Sequence, residues 1–369
     1  EQEIAETKSS LANQSYTSYM LDAAYKGGAL EILTAVLSCA WSYQMIGEHH
    51  EKIPGVLEHP LFGEWVAGYS SKGYRESTEE IIDILNLADQ LKYEQKHGIP
   101  HNLLKGMTLG MIFQKSSTRT RVSFEAGMYQ LGGHALFLSS KELQIGRGEP
   151  VQDTARVLSR YINGIMIRTF EQSEVENLAE YGNIPIINGL TDFSHPCQVL
   201  ADLQTVREYK NKLDGLKMCY IGDGNNMANS LTVGCLKVGM DVTLACPEGY
   251  HPDKRVLNFA AAYPNFKLVS SPKEAAADAD VLFTDVWASM GQEGEAEKRR
   301  IAFKGYQIND DIMSVAKSDA MVMHCLPAHR EEEITAKVLE QHANEIFDEA
   351  ENRLHAQKAV MVRLMAAEN

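Results

Sequence analysis

Ser117-Thr118-Arg119-Thr120-Arg121 places hydroxyls and guanidiniums side by side in one short run. The run follows the apolar stretch Met107–Phe113, which reads as a strand. It precedes Val122–Leu131, whose apolar spacing suits a helix. Side-chain donors and unpaired backbone N–H groups therefore collect at a helix N-terminus. Such a cluster is a receptor for a small anion, above all a phosphate. A merely capped helix with surface arginines would need fewer donors. Other polar clusters also follow strand patterns. His195-Pro196-Cys197-Gln198 comes after Ile184–Gly189, Asp285-Val286-Trp287 after Val281–Thr284, and His324-Cys325-Leu326-Pro327 after Ala320–Met323. Open α/β sheets bind ligands beyond the carboxyl ends of their strands, so these clusters converge on one expected site.

The elements that must position those residues alternate regularly from Ser77 onward. Ser77-Thr78-Glu79-Glu80 reads as a capping box opening a helix over Glu80–Gln95. Strands are expected at Met107–Phe113, Ala135–Leu138, Gly164–Arg168 and Ile184–Ile187, followed by a long helix, Cys197–Tyr209. A second series begins at Lys217, with strands near Met218–Gly222, Asp241–Ala245, Lys267–Val269, Val281–Thr284, Ala320–His324 and Glu345–Phe347. A final helix is expected over Ala350–Met365. The pattern predicts an α/β protein with two doubly wound parallel-sheet domains and a cleft between them. A short all-helical segment precedes them: Ile32, Val36, Cys39, Tyr43 and Ile46 recur at helical spacing, and Ser70–Gly73 reads as a junction. The expected divisions are 1–74, 75–210, 211–345 and 346–369.

The net charge of −15 argues against nucleic acid and anionic membranes as partners. An anionic substrate must then be held by a local arginine cluster against an adverse overall field. The longest apolar run, Ala29–Tyr43, is broken by Glu31, Thr34 and Ser38, so no membrane span is expected. No secretory signal is visible. The six cysteines form no CxxC pair, which points to reduced thiols in a cytoplasm and away from a zinc site. Gly222-x-Gly224 after a strand suggests dinucleotide binding only weakly, because Met227 stands where a third glycine would be needed. Neither a metal nor an organic cofactor is expected.

Taken in order, the STRTR, HPCQ and HCLP runs resemble the aspartate/ornithine carbamoyltransferase family. Gly222-Asp223-Gly224-Asn225-Asn226 and Asp285-Val286-Trp287-Ala288-Ser289-Met290-Gly291 resemble its ornithine branch. The resemblance covers about residues 75–369. It implies transfer of a carbamoyl group from carbamoyl phosphate to the δ-amine of L-ornithine, giving citrulline and phosphate. Ser117, Thr118, Arg119 and Thr120 would then hold phosphate oxygens, and Arg168 would reach both phosphate and carbonyl. His195 would donate to the carbonyl oxygen. Gln198 and the Cys325 and Leu326 backbone would fix the carbamoyl NH₂, and Arg353 would close the phosphate side. Asn226, Asp285, Ser289 and Met290 would contact ornithine, and Cys325 would accept or orient the δ-ammonium proton. Arg168, His195, Asp285 and Cys325 form the implied catalytic set. Gln144, in the glycine-punctuated Lys141–Gly148 loop, would reach a neighbouring subunit's site, implying an obligate oligomer, a homotrimer or a multiple of one. Putrescine-using relatives share STRTR and HCLP but lack the GDGNN and SMG patterns. Whether citrulline is made or consumed stays open.

Ser15–Leu21 and Leu37–Gly47 resemble the TenA/thiaminase II family of all-helical proteins that cleave aminopyrimidines. Cys39 matches that family's nucleophile and Tyr43 a tyrosine near it. The helices that would carry the pyrimidine-binding aspartate and the acidic partner of the cysteine have no counterpart. Cys39 also reads as a small apolar residue on a buried helix face. The segment could therefore be a hydrolase fragment or a docking module.

Overall fold

Short runs buried on both faces are what a parallel sheet covered by helices requires, and two such sheets form. A computed structural model describes residues 72–289 and 291–366. The expectations for Cys39, Tyr43 and the rest of the N-terminal helical segment, and that for Met290, lie outside the described residues. The chain divides into two units, 1–79 and 80–369, and both sheets belong to the second.

The first sheet contains β1 (Thr108–Phe113), β2 (His134–Ser139), β3 (Gly164–Arg168) and β4 (Ile186–Leu190), in the order β2-β1-β3-β4. All its pairings are parallel. Phe113 at the end of β1 pairs with Arg168 at the end of β3, so the strand order reverses beside the two loops that carry the basic cluster. The second sheet contains β5 (Lys217–Ile221), β6 (Asp241–Ala245), β7 (Phe266–Val269), β8 (Val281–Thr284) and β9 (Met321–His324). Its order is β7-β6-β5-β8-β9, again wholly parallel. Here the order reverses between β5 and β8, whose ends lead into Gly222–Asn226 and Asp285–Ser289. The fold is thus the pair of parallel-sheet α/β domains expected from the sequence.

Helices α1 (Lys72–Lys96), α2 (Thr118–Gln130), α3 (Val151–Leu158), α4 (Gln172–Tyr181) and α5 (Pro196–Lys210) accompany the first sheet. Helices α6 (Asn226–Lys237), α7 (Lys254–Ala260), α8 (Pro272–Ala276), α9 (Ala296–Ala302), α10 (Asp310–Met313) and α11 (Ala336–Gln341) accompany the second, and α12 (Ala343–Met365) ends the described chain. Three helices hold the sheets together. Leu85 of α1 packs into the core of the second sheet, and Ala88 and Leu91, one and two turns on, into that of the first. In α5, Cys197 packs on the first core and Leu203 on the second. In α12, Ile346 packs under β5 and β8, while Met361 and Met365 pack under β1 and β3.

Two expectations are corrected. Ser77 does not cap a helix, because α1 already runs from Lys72. The preceding Tyr74–Glu76 contains neither glycine nor proline, so nothing stops the helix there. Glu345–Phe347 is not a strand but lies in the first turns of α12. Ile346 is buried and Phe347 exposed, and Ile346, Glu349, Arg353 and Ala356 recur on one helical face. That helix begins at Ala343, so the expected division at 345/346 falls inside it. Among the described residues no helix is long and apolar enough to cross a membrane.

Candidate active site

Beyond the ends of β1 and β3 the chain builds a cationic pocket. Ser117 caps α2, its side chain accepting from the Thr120 N–H at 3.1 Å. Arg119, in the first turn, donates from Nη2 to the Leu326 carbonyl at 2.6 Å, which ties α2 to the loop after β9. Arg353 enters from α12. It donates to Gln198 Oε1 at 2.6 Å, to Gln357 Oε1 at 3.0 Å and to Thr120 Oγ1 at 3.2 Å. Arg168 ends β3 and is buried, yet its Nε has no hydrogen-bond partner. Burial and the neighbouring Arg353 and Arg119 guanidiniums push it down to about 10.

His195 occupies the N-cap position of α5, just before Pro196. Its backbone N–H donates to Ser230 Oγ at 2.8 Å, while its buried Nδ1 has no partner. Burial, then Arg353, Arg168 and Arg119, hold the imidazole well below its ordinary range. A neutral imidazole and crowded guanidiniums with spare donors are the electrostatics of a site awaiting an anion.

Across the same cavity, of about 710 Å³, lies a carboxylate. Asp285 follows β8 and accepts from Asn225 Nδ2 at 2.8 Å, from the Val286 N–H at 2.8 Å and from the Cys325 thiol at 3.2 Å. Burial, Asp285 and Glu349 push the Cys325 thiol well up. The thiol donates to Asp285, an arrangement that suits the orienting alternative of the sequence expectation. Asn225 also caps α6, accepting from the Met227 and Ala228 N–H groups at 2.9 and 3.2 Å. Gly224 lies so close to the next loop that a Cβ there would sit 2.2 Å from the His251 carbonyl carbon. Asn226 Nδ2 donates to the Thr191 carbonyl at 2.7 Å, linking the two sheets' loops.

Asp285, His324 and Cys325 stand close enough together to suggest a cation site. His324, however, accepts from the Leu326 N–H at Nδ1, 2.9 Å away, and meets Glu333 through Nε2 at 3.0 Å. Both ring nitrogens are already engaged, so the group does not fit a metal.

Comparison with known proteins agrees with this geometry. The profile of the aspartate/ornithine carbamoyltransferase carbamoyl-P binding domain matches residues 74–208, and that of the Asp/Orn binding domain matches 214–364. The ornithine carbamoyltransferase of Geobacter metallireducens is 56% identical over 291 residues, which cover 78% of this chain and 96% of that protein. The chain belongs to the aspartate/ornithine carbamoyltransferase family. The solved ornithine carbamoyltransferase of Pyrococcus furiosus superposes with a TM-score of 0.75 at 53% identity, covering 79% of this chain and 95% of that one. The Thermus thermophilus enzyme superposes at 0.71 and 41% identity, covering 78% and 95%. The TENA/THI-4/PQQC profile matches residues 1–108, so the N-terminal segment resembles that family and its match overlaps the carbamoyl-P profile from 74 onward.

Of the site residues singled out from the carbamoyltransferase motifs, those described line this one cavity except Thr118 and Gln144. Thr118 is exposed at the start of α2. Gln144 is exposed on the 3₁₀ turn Gln144–Arg147. Several lining residues escaped the sequence reading. Lys115 is buried in the wall, paired with Asp192 and 4.4 Å over the Phe170 ring; its signal was a cation in the same turn as Ser117. Arg299 of α9 donates to Asp223 at 2.7 Å and to the Trp287 carbonyl at 2.9 Å, and nothing in its local sequence marks it. Asn225, inside the GDGNN run beside Asn226, also lines the cavity.

Proposed function

We propose that this chain transfers the carbamoyl group of carbamoyl phosphate to the δ-amine of L-ornithine, forming L-citrulline and phosphate. The observation that carries the reading is the Arg119/Arg168/Arg353 cluster at the N-terminus of α2, facing Asp285 across one cavity. The dianion sits among Ser117, Arg119, Thr120 and Arg353, with Thr118 offering its backbone. Arg168 Nε and His195 donate to the carbonyl oxygen, where negative charge grows as the amine attacks. The Gln198 amide oxygen and the Cys325 and Leu326 carbonyls accept from the carbamoyl NH₂. Asp285 holds an amino group of ornithine, and Asn226, Ser289 and Met290 receive its carboxylate end. The δ-nitrogen, once deprotonated, bonds to the carbamoyl carbon. The C–O bond to phosphate then breaks, and phosphate departs into the guanidinium cluster, taking the proton that the δ-nitrogen sheds as it becomes an amide N–H.

Residues 75–210 make the carbamoyl phosphate side, 211–342 the ornithine side, and α12 returns to the first. The assembly is a homotrimer, or a multiple of one, in which Gln144 completes a neighbour's site. Its support is a set of exposed apolar groups on α2 and β2, Val122, Tyr129 and Phe137 among them. Light scattering of the purified chain checks the stoichiometry. The compartment is the cytoplasm, in keeping with five free cysteines among the described residues.

The test is a colorimetric citrulline assay with carbamoyl phosphate and either L-ornithine or putrescine. Citrulline with ornithine, and far slower transfer to putrescine, is expected. Preference for putrescine would overturn the ornithine assignment.

A further inference from the structure

Behind the Gln198 amide lie two carboxyl groups that the transfer chemistry does not use. Asp202 is one turn after Gln198 on α5, and Glu349 is one turn before Arg353 on α12. Both are almost wholly buried. Gln198 Nε2 donates to Asp202 Oδ1 at 2.8 Å and to Glu349 Oε1 at 2.9 Å. Glu349 Oε2 accepts the His324 backbone N–H at 2.9 Å, immediately before Cys325. The two carboxyls thus converge on one amide nitrogen, and the buried Asp202 Oδ2 has no hydrogen-bond donor. Ionised carboxylates only accept and repel each other, so two of them buried on one amide favour a proton on the pair.

We propose that Asp202 and Glu349 form a proton-sharing acid pair that positions Gln198 and the His324–Leu326 segment to receive the carbamoyl group. Both are positioning residues, and the inference rests on the carbamoyl phosphate reading above. The two ends of a glutamine amide have nearly the same shape, so only its partners decide which end points where. Arg353 donates to the Gln198 oxygen, while the acid pair takes the Gln198 NH₂. The oxygen is thereby turned to the Arg353 side, where a carbamoyl NH₂ can be met. The same pair fixes the backbone at His324, and with it the Cys325 and Leu326 carbonyls. One acid pair thus sets both sets of acceptors at once.

The surroundings favour a single shared proton. Burial pushes both carboxyls up, and the neighbouring Asp202 charge raises Glu349 further. Arg353, from α12, balances the one negative charge that remains. Asp285 after β8 adds a further negative charge. The thiols near the pair, Cys235 of α6 and Cys325 after β9, are both pushed up and stay neutral. Full ionisation would set two adjacent anions against one guanidinium in a dry interior.

Infrared difference spectroscopy and steady-state kinetics on the full chain test this. At neutral pH the wild-type spectrum should contain the C=O band of an un-ionised carboxylic acid that disappears in Glu349→Gln and in Asp202→Asn. Glu349→Ala should raise KM for carbamoyl phosphate roughly tenfold, because the Gln198 NH₂ and the His324 N–H lose an acceptor. Its KM for ornithine should change little. Glu349→Gln, which mimics the protonated acid, should recover most of that loss. A purely space-filling role would give no acid band and no such recovery. Should Glu349→Ala fail to fold, the spectra of the two amide variants decide alone. No difference in the acid band for either variant, or equal carbamoyl phosphate KM in Glu349→Ala and wild type, overturns the proposal. A failure of the transferase reading itself would show separately, as a wild-type chain that makes no citrulline.

Discussion

Arg119 reaches both the anion pocket and the second sheet, since its guanidinium donates to the Leu326 carbonyl. Arg119→Ala should therefore weaken binding of a phosphonate analogue of carbamoyl phosphate by on the order of 2–5 kcal/mol, as for other lost charge-assisted contacts. Unchanged affinity by calorimetry would remove Arg119 from the phosphate site. His195 gives a second test. Burial and three arginines hold its imidazole neutral at pH 7. A bound dianion offsets those arginines, so the proton affinity of His195 should rise toward the ordinary imidazole range when the analogue binds. A histidine NMR titration with and without the analogue reads that shift, and no movement would place the anion elsewhere. At this scale the sequence was highly legible, because Arg119, Arg168, His195 and Asp285 each lie at or just beyond a strand end. What was hidden is direction. Whether Cys325 gives or takes a proton depends on Asp285 and Glu349, which lie far from it along the chain.

Among elements, the entry to α6 is tied directly to Asp285. Asn225 caps the helix with its side-chain oxygen and holds Asp285 with its nitrogen. Asn225→Ala should cost about 1 kcal/mol of stability through the lost cap. It should also raise KM for ornithine more than KM for carbamoyl phosphate, because Asp285 loses a donor. Thermal denaturation and kinetics check both parts, and an equal rise in the two KM values would contradict the placement of Asp285 on the ornithine side. Central strands such as β1, β3 and β8 were readable because burial on both faces makes them continuously apolar. The start of α12 was not. Ile346-Phe347 looks strand-like over two residues, and only the spacing to Glu349 and Arg353 shows the helix. Those residues are polar yet buried, so hydrophobic periodicity alone passes over them.

In the molecule as a whole, a net charge of −15 surrounds a pocket built from guanidiniums. The two sheets were legible from strand–helix alternation. The helices that join them were not, because α1 and α12 serve two cores at once and their apolar positions answer to neither sheet alone. This arrangement predicts an order of binding. Ornithine carries ammonium groups and must approach Arg119, Arg168 and Arg353, which repel it until a dianion neutralises them. Carbamoyl phosphate should bind first, and Asp285 and the segment through Ser289 should then take ornithine. The most direct test is calorimetric titration of L-ornithine into the free chain and into the chain saturated with a methylene analogue of carbamoyl phosphate. Ornithine binding that is weak or absent in the first case and strong in the second is the predicted result. Tight ornithine binding to the free chain, unaffected by the analogue, would contradict a site organised around the arginine-bound dianion.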